Sequence, residues 1–350
     1  MRFSSLIMRT VAAAGLLVAA ALTGCTLIDE DTSKCNNQAR LTYELRLDPE
    51  IVQELEDELD LHADEDIRAM LKGYIDGVFT NYARDVDLFF YDTEEPMSCL
   101  RSMSEAMNSS SNTYAISMPV RSYMHTAVTN VKVSENVHIV EQERYPTAQL
   151  EHMKSGDCYA PQKSGLFSAH RRLDIGEKPN QRFRIRLNMV NSATALILDT
   201  GKATEVTDIR VVVEGMATGF NLADSTFVFT DGAVFSTEEF SIGYKHCYAA
   251  VHFPSHLSEA DLEAQGETGT RASEPAYDPH KPWHWIVYAT LQDGTVTRSI
   301  LEMSPSVLAG QLKIRNAFVK DRGEVGSNEV GLSIDVQLDW REGPDIPIIL

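Results

Sequence analysis

The sequence predicts a mainly β protein of tandem antiparallel sandwiches, on three observations. Apolar and polar residues alternate at period two in several separate stretches, as they do in half-buried strands. Asp293-Gly294 joins two strand-like stretches, and Asp-Gly readily takes the positive φ of a type I′ hairpin turn. Helical spacing is confined to one segment, 48–82. Strands at such intervals, with few helices between them, argue for packed antiparallel sheets and against an α/β sheet.

Taken in order, Leu41, Tyr43, Leu45 and Leu47 alternate with Thr42, Glu44 and Arg46, so one face is buried and the other wet. Asp48-Pro49 then forms an N-cap and first-turn pair. Ile51, Val52, Leu55 and Leu59 follow at helical spacing. Asp64 caps a second helix whose stripe is Ile67, Leu71, Tyr74, Ile75, Val78 and Tyr82. This is a helical hairpin inserted between two strands and lying over a sheet by its apolar stripe. Its acidic face (Glu54, Glu56, Asp57, Glu58, Asp60) lacks the spacing of a calcium loop and is expected to be solvated.

Phe183, Ile185, Leu187 and Met189 alternate with Arg182, Arg184, Arg186 and Asn188. Ile209, Val211 and Val213 form another strand, and Trp285–Leu291 with Thr295–Ile300 a hairpin. Leu332, Ile334, Val336, Leu338 and Trp340 alternate at the end. Two polar, Pro- and Gly-bearing stretches, 141–165 and 256–282, are expected as a linker and a long loop. The division expected is a first sandwich over 40–165, with its helical insertion at 48–82, and a second over 166–350.

The chain has 350 residues, 43% of them apolar, enough for one large or two medium domains. Its net charge is −20. The first 24 residues hold Arg2 and Arg9 and no acid, so removing them takes it to −22. Such a charge argues against nucleic acid or an anionic membrane surface as main ligand. No Gly-rich phosphate loop, HExxH, CxxC pair or GxSxG elbow occurs, so no catalytic, cofactor or metal residue is nominated.

Arg2 and Arg9 precede an apolar run, Val11–Leu22, too short for a membrane span of roughly 20 residues but suited to a signal peptide over 1–24. The run ends in Leu22-Thr23-Gly24-Cys25, which resembles the lipobox of bacterial lipoproteins. The resemblance implies cleavage before Cys25, lipidation of its thiol, and a tether over 25–39. Asp29-Glu30-Asp31 is either a solvated part of that tether or, by resemblance, the acidic export signal of surface lipoproteins in Bacteroidota. Export permits disulfides among Cys35, Cys99, Cys158 and Cys247, and the sequence does not choose a pairing. Cys35 precedes one strand and Cys99 follows another, so the two would meet if those strands were antiparallel neighbours. All four are equally compatible with buried free thiols.

Several segments together resemble the fimbrial anchor subunits of Bacteroidales, outer-membrane lipoproteins at the base of minor and major fimbriae. Asp85–Asp92 is similar to their second strand, and Tyr114–Tyr123, with Met118-Pro119, to the edge strand and turn that follow. Gly215–Phe220 resembles a Gly-rich turn of their second domain. Asp339–Gly343 and Ile346–Leu350 resemble their C-terminal strand pair, and the lipobox and Cys35 also suit the pattern. The resemblance implies two tandem transthyretin-like sandwiches, a structural function without enzymatic activity, and fimbrial shaft subunits as partners joined by strand addition. It also implies an outer-membrane location through the lipid on Cys25. In shaft and tip subunits an arginine-specific protease removes an N-terminal strand; an anchor keeps it, and growth stops.

Arg40 precedes the first strand and would be a cleavage point, but Thr26–Ala39 contains no alternating strand, so cleavage there would sever only the tether. Ile346, Ile348, Ile349 and Leu350 form the candidate donor strand, or an ordinary edge strand blunted by Pro347. An accessory or tip subunit is the alternative within this class. A surface glycan-binding lipoprotein is the rival, with Trp283, flanked by His280 and His284, and Trp285 as stacking platform. The remaining histidines are scattered and structural. Asp224-Ser225-Thr226 resembles a short O-glycosylation motif of Bacteroidota.

Overall fold

The computed structural model describes residues 38–47, 51–79, 82–107, 111–178, 180–257, 283–327 and 333–338, with the backbone alone for 51–56 and 333–338. The chain opens with β1 (Gln38–Leu47), α1 (Ile51–His62) and α2 (Glu65–Ile75). Next come β2 (Asp85–Tyr91), β3 (Cys99–Ala106), β4 (Ser111–Pro119), β5 (Ser122–Thr129), β6 (Val137–Val140) and β7 (Gln149–His152). β8 (Lys154–Ser155), β9 (Cys158–Tyr159), β10 (Phe167–Asp174), β11 (Gln181–Met189) and β12 (Ser192–Asp199) follow. β13 (Val206–Glu214), β14 (Gly219–Asn221), β15 (Phe227–Val228), β16 (Val234–Ser236), β17 (Glu238–Ile242) and β18 (Lys245–His252) come after these. The last strands are β19 (Trp283–Leu291), β20 (Val296–Met303), β21 (Leu312–Val319), β22 (Val325–Gly326) and β23 (Ser333–Leu338).

The architecture is mainly β with two sandwiches, as expected. The first is one sheet of order β3-β2-β5-β10-β11-β1-β4. β10 and β11 pair only at Phe167↔Met189 and Ser168↔Asn188, so the sheet folds there into two layers. Tyr43 of β1 meets Phe90 of β2 across the layers, ring centroids 6.4 Å apart. Leu41, Leu45, Leu88, Ile185 and Leu187 fill the same core.

The expected division at 165/166 does not match this topology. β10 and β11 complete the first sheet, and only Val190 and Asn191 separate β11 from β12 of the second. The expected linker 141–165 also holds β7, β8 and β9. Three pairings are parallel, β1 with β11, β12 with β21 and β9 with β16, so the sheets are not wholly antiparallel. These partners lie far apart in sequence, free of the tight turn that dictates antiparallel pairing.

The second sandwich packs β17-β18-β12-β21-β22 against β23-β20-β19-β13-β16-β9-β8. Leu196, Leu198, Val213, Phe235, Trp285 and Leu301 lie between them. The β19–β20 turn differs from the expected type I′. Only Gly294 takes positive φ, at 84°. Its N–H donates to the Leu291 carbonyl at 3.0 Å, and Leu291 N–H to Thr295 O at 2.8 Å. That is a three-residue loop, a type I turn followed by a left-handed glycine.

Two braces lie over sandwich faces. The helical hairpin follows β1 in sequence but lies on the second sandwich. Leu59, Ile67, Leu71 and Ile75 pack on the β12–β18–β21 face formed by Ala193, Ala195, Cys247, Ala249 and Ile314. The small residues of that face let the helices approach closely. Asp64 caps α2 as expected, accepting from Ile67 N–H at 3.2 Å. The Asp48-Pro49 cap lies outside the described residues. The other brace is a four-stranded sheet, β15-β14-β7-β6. Its Leu150, Phe220 and Phe227 join Phe89 and Tyr91 from the outer face of β2.

Candidate functional site

The resemblance in the sequence implies assembly by strand addition, in which backbone ladders are the functional groups, so β1 and the sheet edges are the candidate site. β1 starts three residues earlier than its apolar alternation suggests, because Gln38, Ala39 and Arg40 pair with Pro119, Met118 and Ser117. The remainder stays paired with β4 through Arg46↔Ser111, and runs parallel to β11 from Leu41↔Gln181 to Leu47↔Leu187. Arg40 therefore lies within the first strand and not before it.

The side chains hold β1 on both faces. Inward, Leu41, Tyr43, Leu45 and Leu47 are buried. The Tyr43 hydroxyl bonds His125 Nε2, while His125 Nδ1 lies 2.8 Å from the Phe89 carbonyl. A carbonyl only accepts, so Nδ1 carries the proton and Nε2 accepts from Tyr43. Burial pushes the His125 pKa down to about 4 and the Tyr43 phenol up. Outward, Glu44 meets Arg182 at 2.7 Å and Arg184 at 3.2 Å, across the parallel pairing. Those bonds hold its carboxyl below the usual range.

β3 and β4 end the sheet and face each other across the open side of the sandwich. Side chains join them where a backbone ladder is missing. Tyr114 Oη donates to Ala106 O at 2.7 Å, and Arg101 Nη1 to Ser117 O at 2.5 Å. No group of three or more His, Cys, Asp or Glu suited to a metal occurs among the described residues.

Cys25, Cys35, His280 and the donor segment Ile346, Ile348, Ile349 and Leu350 lie outside the described residues. The strand that Cys35 precedes and the strand that Cys99 follows, β1 and β2, are not neighbours, since β5, β10 and β11 separate them. The proposed condition for a Cys35–Cys99 pairing is therefore not met by adjacency. Cys99 opens β3, Cys158 lies in β9, and Cys247 faces the helical brace; all three are free thiols. Burial pushes the Cys247 thiol up to about 12.

The glycan platform expected at Trp283 and Trp285 is overturned. The two are 2% and 0% exposed, because both project into the second core in phase with Val287. Ser225 of the glycosylation-like motif is also buried, in the left-handed region at φ 59°, with Oγ 2.9 Å from His170 Nδ1. Sequence reading missed the hold of β1 on His125. Tyr43 at an inward position was the visible half of that pair, and its partner lay 82 residues away.

No family model matches the chain, and no curated protein matches it by sequence. Solved structures do. A candidate adhesin from Bacteroides ovatus superposes with a TM-score of 0.50 at 14% identity, over 83% of this chain and 93% of its own. A candidate polysaccharide-binding protein from Bacteroides thetaiotaomicron gives 0.48 at 10%, over 85% and 95%. The fimbrial anchor protein Mfa2 from Porphyromonas gingivalis gives 0.43 at 10%, over 73% and 79%. At 14% identity the likeness to the Bacteroides ovatus structure is one of fold.

Proposed function

We propose that this chain is a structural, non-enzymatic subunit of a surface fimbrium. In this reading it is the lipoprotein that anchors the fimbrium to the outer membrane through Cys25, ends its growth, and joins shaft subunits by strand addition. The observation that supports it best is the seating of β1 between β11 and β4, with its apolar side chains buried. A first sandwich filled by its own N-terminal strand offers no groove to a donor strand, and a chain that terminates growth needs that property. The edges of β3 and β4, joined by side chains, remain available for β-augmentation.

The intact mass and N-terminal peptide of the mature protein from cell envelopes test this reading. A chain beginning at acylated Cys25 and running through β1 is expected. A chain beginning at Leu41 would have lost the tether and three pairs with β4. One beginning at Leu47, after Arg46, would have lost nearly all of β1. Either of the last two overturns the anchor and favours a processed accessory or tip subunit.

A further inference from the structure

A recess of about 550 Å³ opens on the second sandwich, where the start of α2, the end of β12 and the β17–β18 turn converge. Its volume falls within the range of roughly 300–1,000 Å³ typical of small-ligand sites. Tyr244 stands at the rim with 72% of its surface exposed. Its backbone is held firmly. The Thr200 N–H and hydroxyl both donate to the Tyr244 carbonyl, at 2.8 and 3.0 Å. Gly243 holds the turn at φ 60°. Gly201 lies beneath the base of the ring, where an added Cβ would stand 3.8 Å from Tyr244 Cβ and Cγ. On the other side of the turn, Lys245 is ion-paired with Asp64, the cap of α2. The fold thus presents a large ring to water on a fixed support.

The polar lining complements the ring. Asp66 and Lys202 line the recess without a hydrogen-bond or ion-pair partner among the described residues. Asp199 uses one oxygen to accept from Gly201 N–H at 2.8 Å. A sugar presents an apolar C–H face that stacks on an aromatic ring, and hydroxyls that both donate and accept. A carboxylate and an ammonium beside an exposed tyrosine answer both needs. Aspartates outnumber lysines in the lining, and the whole chain carries −20, which disfavours uronic or sialic acids.

We propose that this recess binds a neutral saccharide, its C–H face on Tyr244 and its hydroxyls on Asp66, Asp199 and Lys202. The site does not depend on the anchor reading, and either can fail alone. The test is calorimetric titration of the full mature chain with maltotriose, cellotriose and N-acetyllactosamine, with a hyaluronate tetrasaccharide as acidic comparison. Saturable binding of at least one neutral sugar is expected, weakened about tenfold or more by Tyr244→Ala and by Asp66→Asn. Tyr244→Phe should retain it, and so should Leu61→Ala, which alters an equally exposed residue outside the recess lining. Circular dichroism would establish that each variant is folded. Failure of all three neutral sugars, unchanged binding in folded Tyr244→Ala, or hyaluronate binding of equal strength would each overturn the proposal.

Discussion

The helical hairpin and the four-stranded sheet both lie over a sandwich face, yet they hold on by different means. The hairpin is one contiguous segment. It lays an aliphatic stripe on a face of small residues and ties its ends with polar bonds. Glu58 accepts from Ile314 N–H at 2.9 Å, the His62 carbonyl accepts from Asn316 at 3.0 Å, and Asp64 pairs with Lys245. The sheet is assembled from two remote segments, β6–β7 and β14–β15, joined at three residue pairs between β7 and β14. Its hold is aromatic, with Phe220 and Phe227 rings 5.0 Å apart and Tyr91 and Tyr145 rings 5.5 Å apart. Tyr145 Oη pins it by donating to Ala223 O at 2.7 Å. A brace whose strands arrive from both sandwiches exists only when both are folded. The four-stranded sheet therefore couples the two halves, while the hairpin clads one of them.

The largest expected effect separates these roles. Phe227→Ala removes a buried ring from the sheet brace and should cost about 3–5 kcal/mol; Leu71→Ala in the hairpin should cost about 2–5 kcal/mol. The two should differ in kind as well as size. Urea unfolding of Phe227→Ala should split into two transitions as the sandwiches uncouple, whereas Leu71→Ala should shift one transition as a whole. Splitting in Leu71→Ala alone would reverse the assignment.

Acid should tell the braces apart next. His152 and His252 lie beside Phe253 at the sheet brace, with ring centroids of His152 and Phe253 6.2 Å apart. Burial pushes both pKa values down to about 4. Neither ring nitrogen of His152 has a partner among the described residues. The folded state refuses protons that the unfolded chain accepts below pH 6.5. The stability from neutral burial is thus complete above about 6.5 and falls as pH drops toward 4, by about 3 kcal/mol per histidine at most. The hairpin's Asp64 carboxyl is held below the usual range by Lys245 and Ile67 N–H, so its contribution survives until the pH falls through that lowered value. Amide exchange near pH 5 should therefore open Leu150 and Phe220 before Leu71. Simultaneous opening would remove the distinction.

The same contrast explains what could be read from the sequence. The hairpin was legible because it is local: Asp64, then Ile67, Leu71 and Ile75, carry the cap and the stripe within one segment. Its destination was not, because Ala193, Ala195 and Ala249 signal a close approach only once β12 and β18 are paired. β1, β11 and the β19–β20 hairpin were legible by alternation. The four-stranded sheet was nearly silent, since β7 is Gln149-Leu150-Glu151-His152 and β14 is three residues long. One signal was available. In Leu88-Phe89-Phe90-Tyr91 both phases are apolar, as a strand covered on both faces requires. Trp283 and Trp285 also share the phase of Val287 and Leu291, which places them inward. The Tyr244 recess draws on three distant segments, around Asp64, Asp199 and Tyr244, and no spacing rule connects them.

The smallest prediction concerns the ion pair at the α2 end of the hairpin, Asp64 with Lys245. Asp64 both caps α2 and pairs with Lys245, and two substitutions separate these tasks. Asp64→Ala removes the cap and the ion pair and should cost about 1 kcal/mol, nearly all of it from the cap. Asp64→Asn keeps an oxygen for Ile67 N–H and loses only the charge. Both partners of the ion pair are nearly half exposed, Lys245 at 48% and Asp64 at 45%, so solvent screening leaves that pair worth about 0–1 kcal/mol. Thermal unfolding should place Asp64→Asn much closer to wild type than to Asp64→Ala. If Asp64→Asn cost as much as Asp64→Ala, the ion pair would carry the attachment. The hairpin would then be held at its α2 end by charge more than by its apolar stripe, and moderate salt would loosen it.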